Sequence, residues 1–125
     1  MTTIFQSATA SSAPGGTTFQ NVAFNGTATT GTSSVIASIY FATAATLAVG
    51  SLAYLGVIAG AGTVTLTLEP SAGPPGAVAT WTTAAALGSV ALTGAPVTLP
   101  ALGWYDVILT AGVGATAAAR GLYLV

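Results

Sequence analysis

Gly62-Thr-Val-Thr-Leu-Thr-Leu-Glu-Pro70 alternates apolar and small polar residues with a period of two, the pattern of a strand with one buried face. Val64, Leu66 and Leu68 are expected to face a core, with Thr63, Thr65, Thr67 and Glu69 outward. Gly62 and Pro70 bound the strand, because neither residue continues a ladder well. A sheet organised around this stretch implies an all-β domain, and the flanking sequence is read as strands that join it.

Upstream, residues 35–61 are almost wholly apolar or small. The run exceeds the roughly 20 apolar residues that span a bilayer, and Gly56 and Gly60 have the small-xxx-small spacing of packed membrane helices. A small membrane protein spanning at 35–61 is therefore the rival reading. Three features favour buried strands instead. No Lys or Arg lies near either end to anchor the headgroup region. Ser38, Thr43, Thr46, Ser51 and the glycines divide the run into strand-length pieces, Ser34 to Phe41 and Leu52 to Ile58, with Thr43 to Gly50 between them. The amphipathic strand also follows directly on Gly60-Ala-Gly62, as if across a hairpin turn.

Downstream, Ser71-Ala-Gly-Pro-Pro-Gly76 is a loop, since consecutive prolines cannot donate to a ladder. Short strands are expected at Val78 to Thr82, Ser89 to Leu92, Pro96 to Leu99, Trp104 to Thr110 and Ala115 to Val125, with one helical turn possible at Ala84 to Leu87. In Gly103-Trp-Tyr-Asp-Val-Ile-Leu-Thr110, Tyr105, Val107 and Leu109 alternate with Trp104, Asp106, Ile108 and Thr110, so both faces carry large apolar groups. A sandwich buries only one face of each sheet. Trp104 and Ile108 on the other face imply a second covering surface, hence an oligomer or assembly. Strand number and spacing fit a β-sandwich that is jelly-roll-like.

Residues 1–32 are rich in Thr, Ser, Ala and Gly and read as an extended N-terminal arm preceding a sandwich domain at 33–125. Thr17 to Phe24 is a candidate strand within the arm, lying on a neighbouring subunit or on the chain's own sheet. At 125 residues the chain is sized for one domain.

Charged residues make up 2% of the chain, against a usual share of roughly 25%. Glu69, Asp106 and Arg120 are the only ionised side chains. With 53% hydrophobic residues and a mean hydropathy of +0.84, the chain should fold rather than remain disordered. Its net charge of −1 offers little colloidal repulsion, which again suits a membrane or an assembly. The first residues have neither a basic region nor an apolar core of signal-peptide type, so synthesis and folding in the cytosol are expected.

Most chemistry is excluded by composition. The chain has no His, Lys or Cys, so Ser and Thr hydroxyls lack a general base, and zinc or thiolate sites lack ligands. Two scattered carboxylates are a poor calcium site. Glu69 and Asp106 form the only possible acid–base pair, but without other polar groups they read better as charges balanced by Arg120. That balance would lie across adjacent strands or at a subunit contact, where it would act selectively. One Arg in a chain of pI about 4.4 rules out a nucleic-acid partner. No catalytic, cofactor or metal residues are therefore assigned. Trp81, Trp104, Ile108, Arg120 and Asp106 are the candidate interface residues. Trp81, Trp104 and Tyr105 also carry the alternative of a glycan-binding fibre or spike domain, through sugar stacking.

Val97-Thr-Leu-Pro-Ala-Leu-Gly-Trp-Tyr-Asp-Val-Ile-Leu-Thr110 resembles the penultimate strands of jelly-roll domains in tailed-bacteriophage virion proteins. There, a Leu-Pro-Ala-Gly-type turn leads into a Trp/Tyr strand. Gly62 to Pro70 and Gly121-Leu-Tyr-Leu-Val125 are similar to further strands of those domains, and the resemblance extends over about residues 33–125. It departs in charge, since such proteins carry more ionised residues. The resemblance implies a non-enzymatic virion protein, a capsid decoration or cement protein or a head-fibre domain. It would be made in the host cytoplasm and placed on the capsid surface. Its partners would be its own copies, as a homotrimer, and the major capsid protein or another virion protein. Stabilisation would come from apolar burial, about 25 cal/mol per Å².

Overall fold

The computed structural model describes residues 2–5, 10–12, 18–41, 45–47, 51–72, 76–92, 97–99 and 103–124. They form twelve strands: β1 (Thr2–Phe5), β2 (Ala10–Ser12), β3 (Thr18–Ala28), β4 (Ser33–Phe41), β5 (Ala45–Leu47), β6 (Leu52–Gly60), β7 (Val64–Pro70), β8 (Ala79–Thr83), β9 (Gly88–Ala91), β10 (Val97–Leu99), β11 (Gly103–Ala111) and β12 (Ala115–Leu124). The chain is all-β, and two five-stranded sheets pack as a β-sandwich. The front sheet has the order β1-β4-β11-β7-β8 and the back sheet β2-β3-β12-β6-β9, while β5 and β10 pair separately. Within the ladders β1 runs parallel to β4 and every other pairing is antiparallel.

Residues 62–70 behave as their alternation dictates. Val64, Leu66 and Leu68 are completely buried, and the residues between them lie on the outer face. The central strand β11 does the same with Tyr105, Val107 and Leu109 inward. These side chains meet Val22, Phe24, Leu55 and Leu122 of the back sheet in one core. A β-bulge interrupts β4 where it pairs with β11, so that Val107 faces Ala37 while Ile108 faces Val35. The extra residue, Ile36, is thereby turned inward beside Ala37, as a bulge re-aims a side chain. Gly26 makes room for it, since a Cβ there would lie 2.5 Å from Ile36 Cβ.

Four connections cross between the sheets at one end of the sandwich: β3 to β4, β6 to β7, β8 to β9 and β11 to β12. The Gly60-Ala-Gly62 turn is therefore an arch between sheets and not a hairpin, because β6 pairs with β12 and β9 while β7 pairs with β11 and β8. The arches are laced together by their backbones. Ala61 N–H donates to Gly114 O at 3.0 Å, Gly112 N–H to Thr63 O at 2.8 Å, and Ala111 N–H to Thr32 O at 2.9 Å. Gly60 takes φ = 74°, which a side chain disfavours, and a Cβ there would collide with Gly114 O.

The long apolar run is divided between the two sheets: 35–41 belong to β4 and 52–60 to β6. Among the described residues no helix is long and apolar enough to cross a membrane. Ala84 to Leu87 form no helical turn. Val57 N–H donates to Ala85 O at 3.0 Å and Val57 bridges Ala86, so the segment is held as an extended crossing beside β6. The stretch set apart by composition as an arm, 1–32, contains β3, which lies on the chain's own back sheet beside β12 and supplies Val22, Phe24 and Ala28 to the core.

Candidate functional site

The outer face of the front sheet brings together more of the notable side chains than any other surface. Cross-strand register sets its rows. Tyr40 stands beside Trp104, and Ser38, Asp106 and Glu69 form the next row. Val35, Ile108, Thr67 and Thr80 follow, then Ser33, Thr110, Thr65 and Thr82. Inward residues of the same strands are core: β7, β8 and β11 keep one phase of alternation, and the bulge at Ile36 shifts β4 so that Ser33 and Val35 share the outer face with Ser38 and Tyr40.

At one end the Tyr40 and Trp104 rings lie 5.3 Å apart between centroids, tilted by 56°, and Trp104 remains 37% exposed. Asp106 Oδ1 beside them accepts from Ser71 Oγ at 2.7 Å and from Ser38 Oγ at 3.1 Å. Glu69 is its direct cross-strand neighbour. In the middle Val35 is 41% exposed next to the half-buried Ile108. At the arch end, hydroxyls pair with each other, Ser33 with Thr110 at 2.8 Å and Thr65 with Thr82 at 3.4 Å. Such pairing lowers the cost of covering these groups with another surface.

No protein-family model matches this chain, and no curated protein matches it.

Three of the five expected interface residues, Trp104, Asp106 and Ile108, share this face. Trp81 does not. It is 0% exposed, because β8 pairs with β7 in a register that points Ala79 and Trp81 into the core beside Leu66 and Leu68. Its indole Nε1 donates to Ser51 O at 3.4 Å. Tyr105 is also inward, with its ring edge-on to Phe41 at 5.2 Å, and burial pushes its hydroxyl above the ordinary value of 10.0. A stacking platform of Trp81, Trp104 and Tyr105 is therefore not formed, and Trp104 alone of the three is on the surface. Arg120 lies on β12 of the back sheet, exposed, with Nη1 donating to Ala119 O at 3.4 Å. It does not balance the carboxylates across adjacent strands, because they belong to the other sheet.

Sequence reading missed Tyr40, Val35, Ser38 and Ser71. Ser38 and Tyr40 share parity within the 35–41 run, which marked them as partners on one face, but their cross-strand neighbours depend on the bulge at Ile36. Among the described residues no group of three or more metal-ligating side chains occurs. Glu69 and Asp106 lie on an open sheet face. A groove of about 400 Å³ lies instead beside β6, lined by Val57 to Ala61, Ala84 and Ala86, and it contains no ionisable side chain.

Proposed function

We propose that this chain is a non-enzymatic structural protein of virion type, which self-associates and decorates or cements a phage capsid through apolar faces. The observation that carries the reading is the outer face of the front sheet, where Val35, Ile108 and Trp104 are presented to solvent on a sandwich whose own core is already closed. The strand order supports the jelly-roll resemblance. Setting aside the outer strands β1 and β2, β4-β11-β7-β8 and β3-β12-β6-β9 are the two sheets of eight strands expected of interlocked Greek keys. The scarcity of charge supports association too, since the surface carries almost nothing to repel another copy. A homotrimer seated on the capsid protein is the assembly in view, formed after synthesis in the host cytoplasm.

The test is the mass in detergent-free buffer by sedimentation velocity and light scattering, with Val35→Lys and Ile108→Lys beside the parent chain. Oligomers that both substitutions dissociate into folded monomers are expected. A parent chain that stays monomeric at every concentration overturns the reading.

A second reading, saccharide binding, is favoured by Trp104 alone. An exposed indole beside an oriented carboxylate offers a stacking surface and a hydroxyl acceptor at one place.

A further inference from the structure

The three ionised side chains are divided between opposite faces of the sandwich. Glu69 and Asp106 are neighbours on the outer face of the front sheet, and Arg120 is exposed on β12 of the back sheet. β11 and β12 are each flanked by neighbouring strands on both sides within their sheets, and one arch joins them. Asp106 lies five residues before Ala111, the end of β11, and Arg120 lies five residues after Ala115, the start of β12. Acid and base therefore stand at similar depth from the arch end, on strands that follow one another in the chain.

We propose that copies of this chain associate front to back, with Arg120 of one copy seated on the Asp106 and Glu69 pair of the next. The proposal rests on the self-assembly reading and specifies its contact. Three pairings of faces are available to two copies, and charge separates them. Front to front brings four carboxylates together, and back to back opposes two guanidinium groups. Front to back alone sets opposite charges against each other, and like-charge juxtaposition in an interface costs several kcal/mol.

The local structure suits this. Two carboxylates directly opposite each other on a ladder repel, and a guanidinium that bridges them removes that repulsion. Ser38 and Ser71 both donate to Oδ1 of Asp106, which orients the carboxylate before any partner arrives. Arg120 sits at the bulge between Ala119 and Gly121, a device that turns a side chain out of the regular ladder. Val35, Ile108 and Trp104 supply the apolar area and the ion pairs set register, the role for which covered charges are best attested. Such a contact is heterologous, so it closes into a ring when successive copies are rotated and runs open when they are not.

The test uses two full-length variants, Glu69→Gln/Asp106→Arg with a cationic front and Arg120→Asp with an anionic back. Each alone is expected to weaken self-association by about tenfold or more in sedimentation velocity. Mixed in equal amounts, the two variants should associate with each other, since the front of each then meets a back of opposite charge on the other. Recovery on mixing also shows that both variants fold. Variants that assemble like the parent, or a mixture that stays dissociated while circular dichroism shows folded chains, overturn the front-to-back contact but leave the assembly reading standing. A monomeric parent chain overturns both.

Discussion

Trp81 Nε1 donates to the backbone carbonyl of Ser51 at 3.4 Å inside the core, so a strand of the front sheet is tied to the residue that leads into β6 of the back sheet. The same carbonyl accepts Leu92 N–H at 2.8 Å, while the buried Ser51 hydroxyl has no hydrogen-bond partner among the described residues. Trp81→Ala is expected to cost about 3–5 kcal/mol by cavity formation. Ser51→Ala should be neutral or stabilising by up to about 1 kcal/mol, because it deletes a desolvated hydroxyl and keeps the carbonyl. Chemical denaturation of both variants checks the pair of signs.

Gly60 carries the corner between the sheets with φ = 74°. Gly60→Ala places a side chain where L-residues lose roughly 1–2 kcal/mol and drives it against Gly114 O. A loss of at least that size in thermal or denaturant unfolding is expected. Gly103→Ala, where the backbone is not in the positive-φ region and nothing lies within 4 Å of the added Cβ, should cost less.

Tyr105 is buried as a neutral phenol, and desolvation raises its pKa above 10.0. The unfolded chain then ionises this group at lower pH than the folded chain does. Its contribution to stability is complete below about pH 10 and lost as pH rises through the folded value. Denaturation midpoints should fall on the alkaline side, and Tyr105→Phe should flatten that fall.

The two tryptophans report on different places. Trp81 emission should be blue-shifted and resistant to a soluble quencher, whereas Trp104, 37% exposed, should be quenched. Titration with saccharides tests the second functional reading directly. Saturable change in Trp104 emission, lost in Trp104→Ala and in Asp106→Asn, supports it, and no change at any saccharide concentration dismisses it.

Legibility followed the distance over which each feature is encoded. The inward faces of 64–68 and 105–109 were readable because alternation is a property of neighbouring residues. Trp81 was misplaced because alternation separates two faces without saying which is covered, and it is the pairing of β8 with β7 that turns Trp81 inward. The supposed hairpin at 60–62 failed for a related reason. Glycines announce a reversal, but whether the chain returns to the same sheet or crosses to the other is decided by partners far along the chain, here β11 and β12.

From sequence alone come the all-β class, the approximate strand positions, the lack of His, Lys and Cys, and the near absence of charge, since each depends on residue type and local period. Only the tertiary structure decided which strands share a sheet, which apolar residues remain outside, and that the two acids and the single base occupy opposite faces. Those facts depend on pairings between residues distant in sequence, through hydrogen bonds that every backbone can make and that side-chain order does not specify.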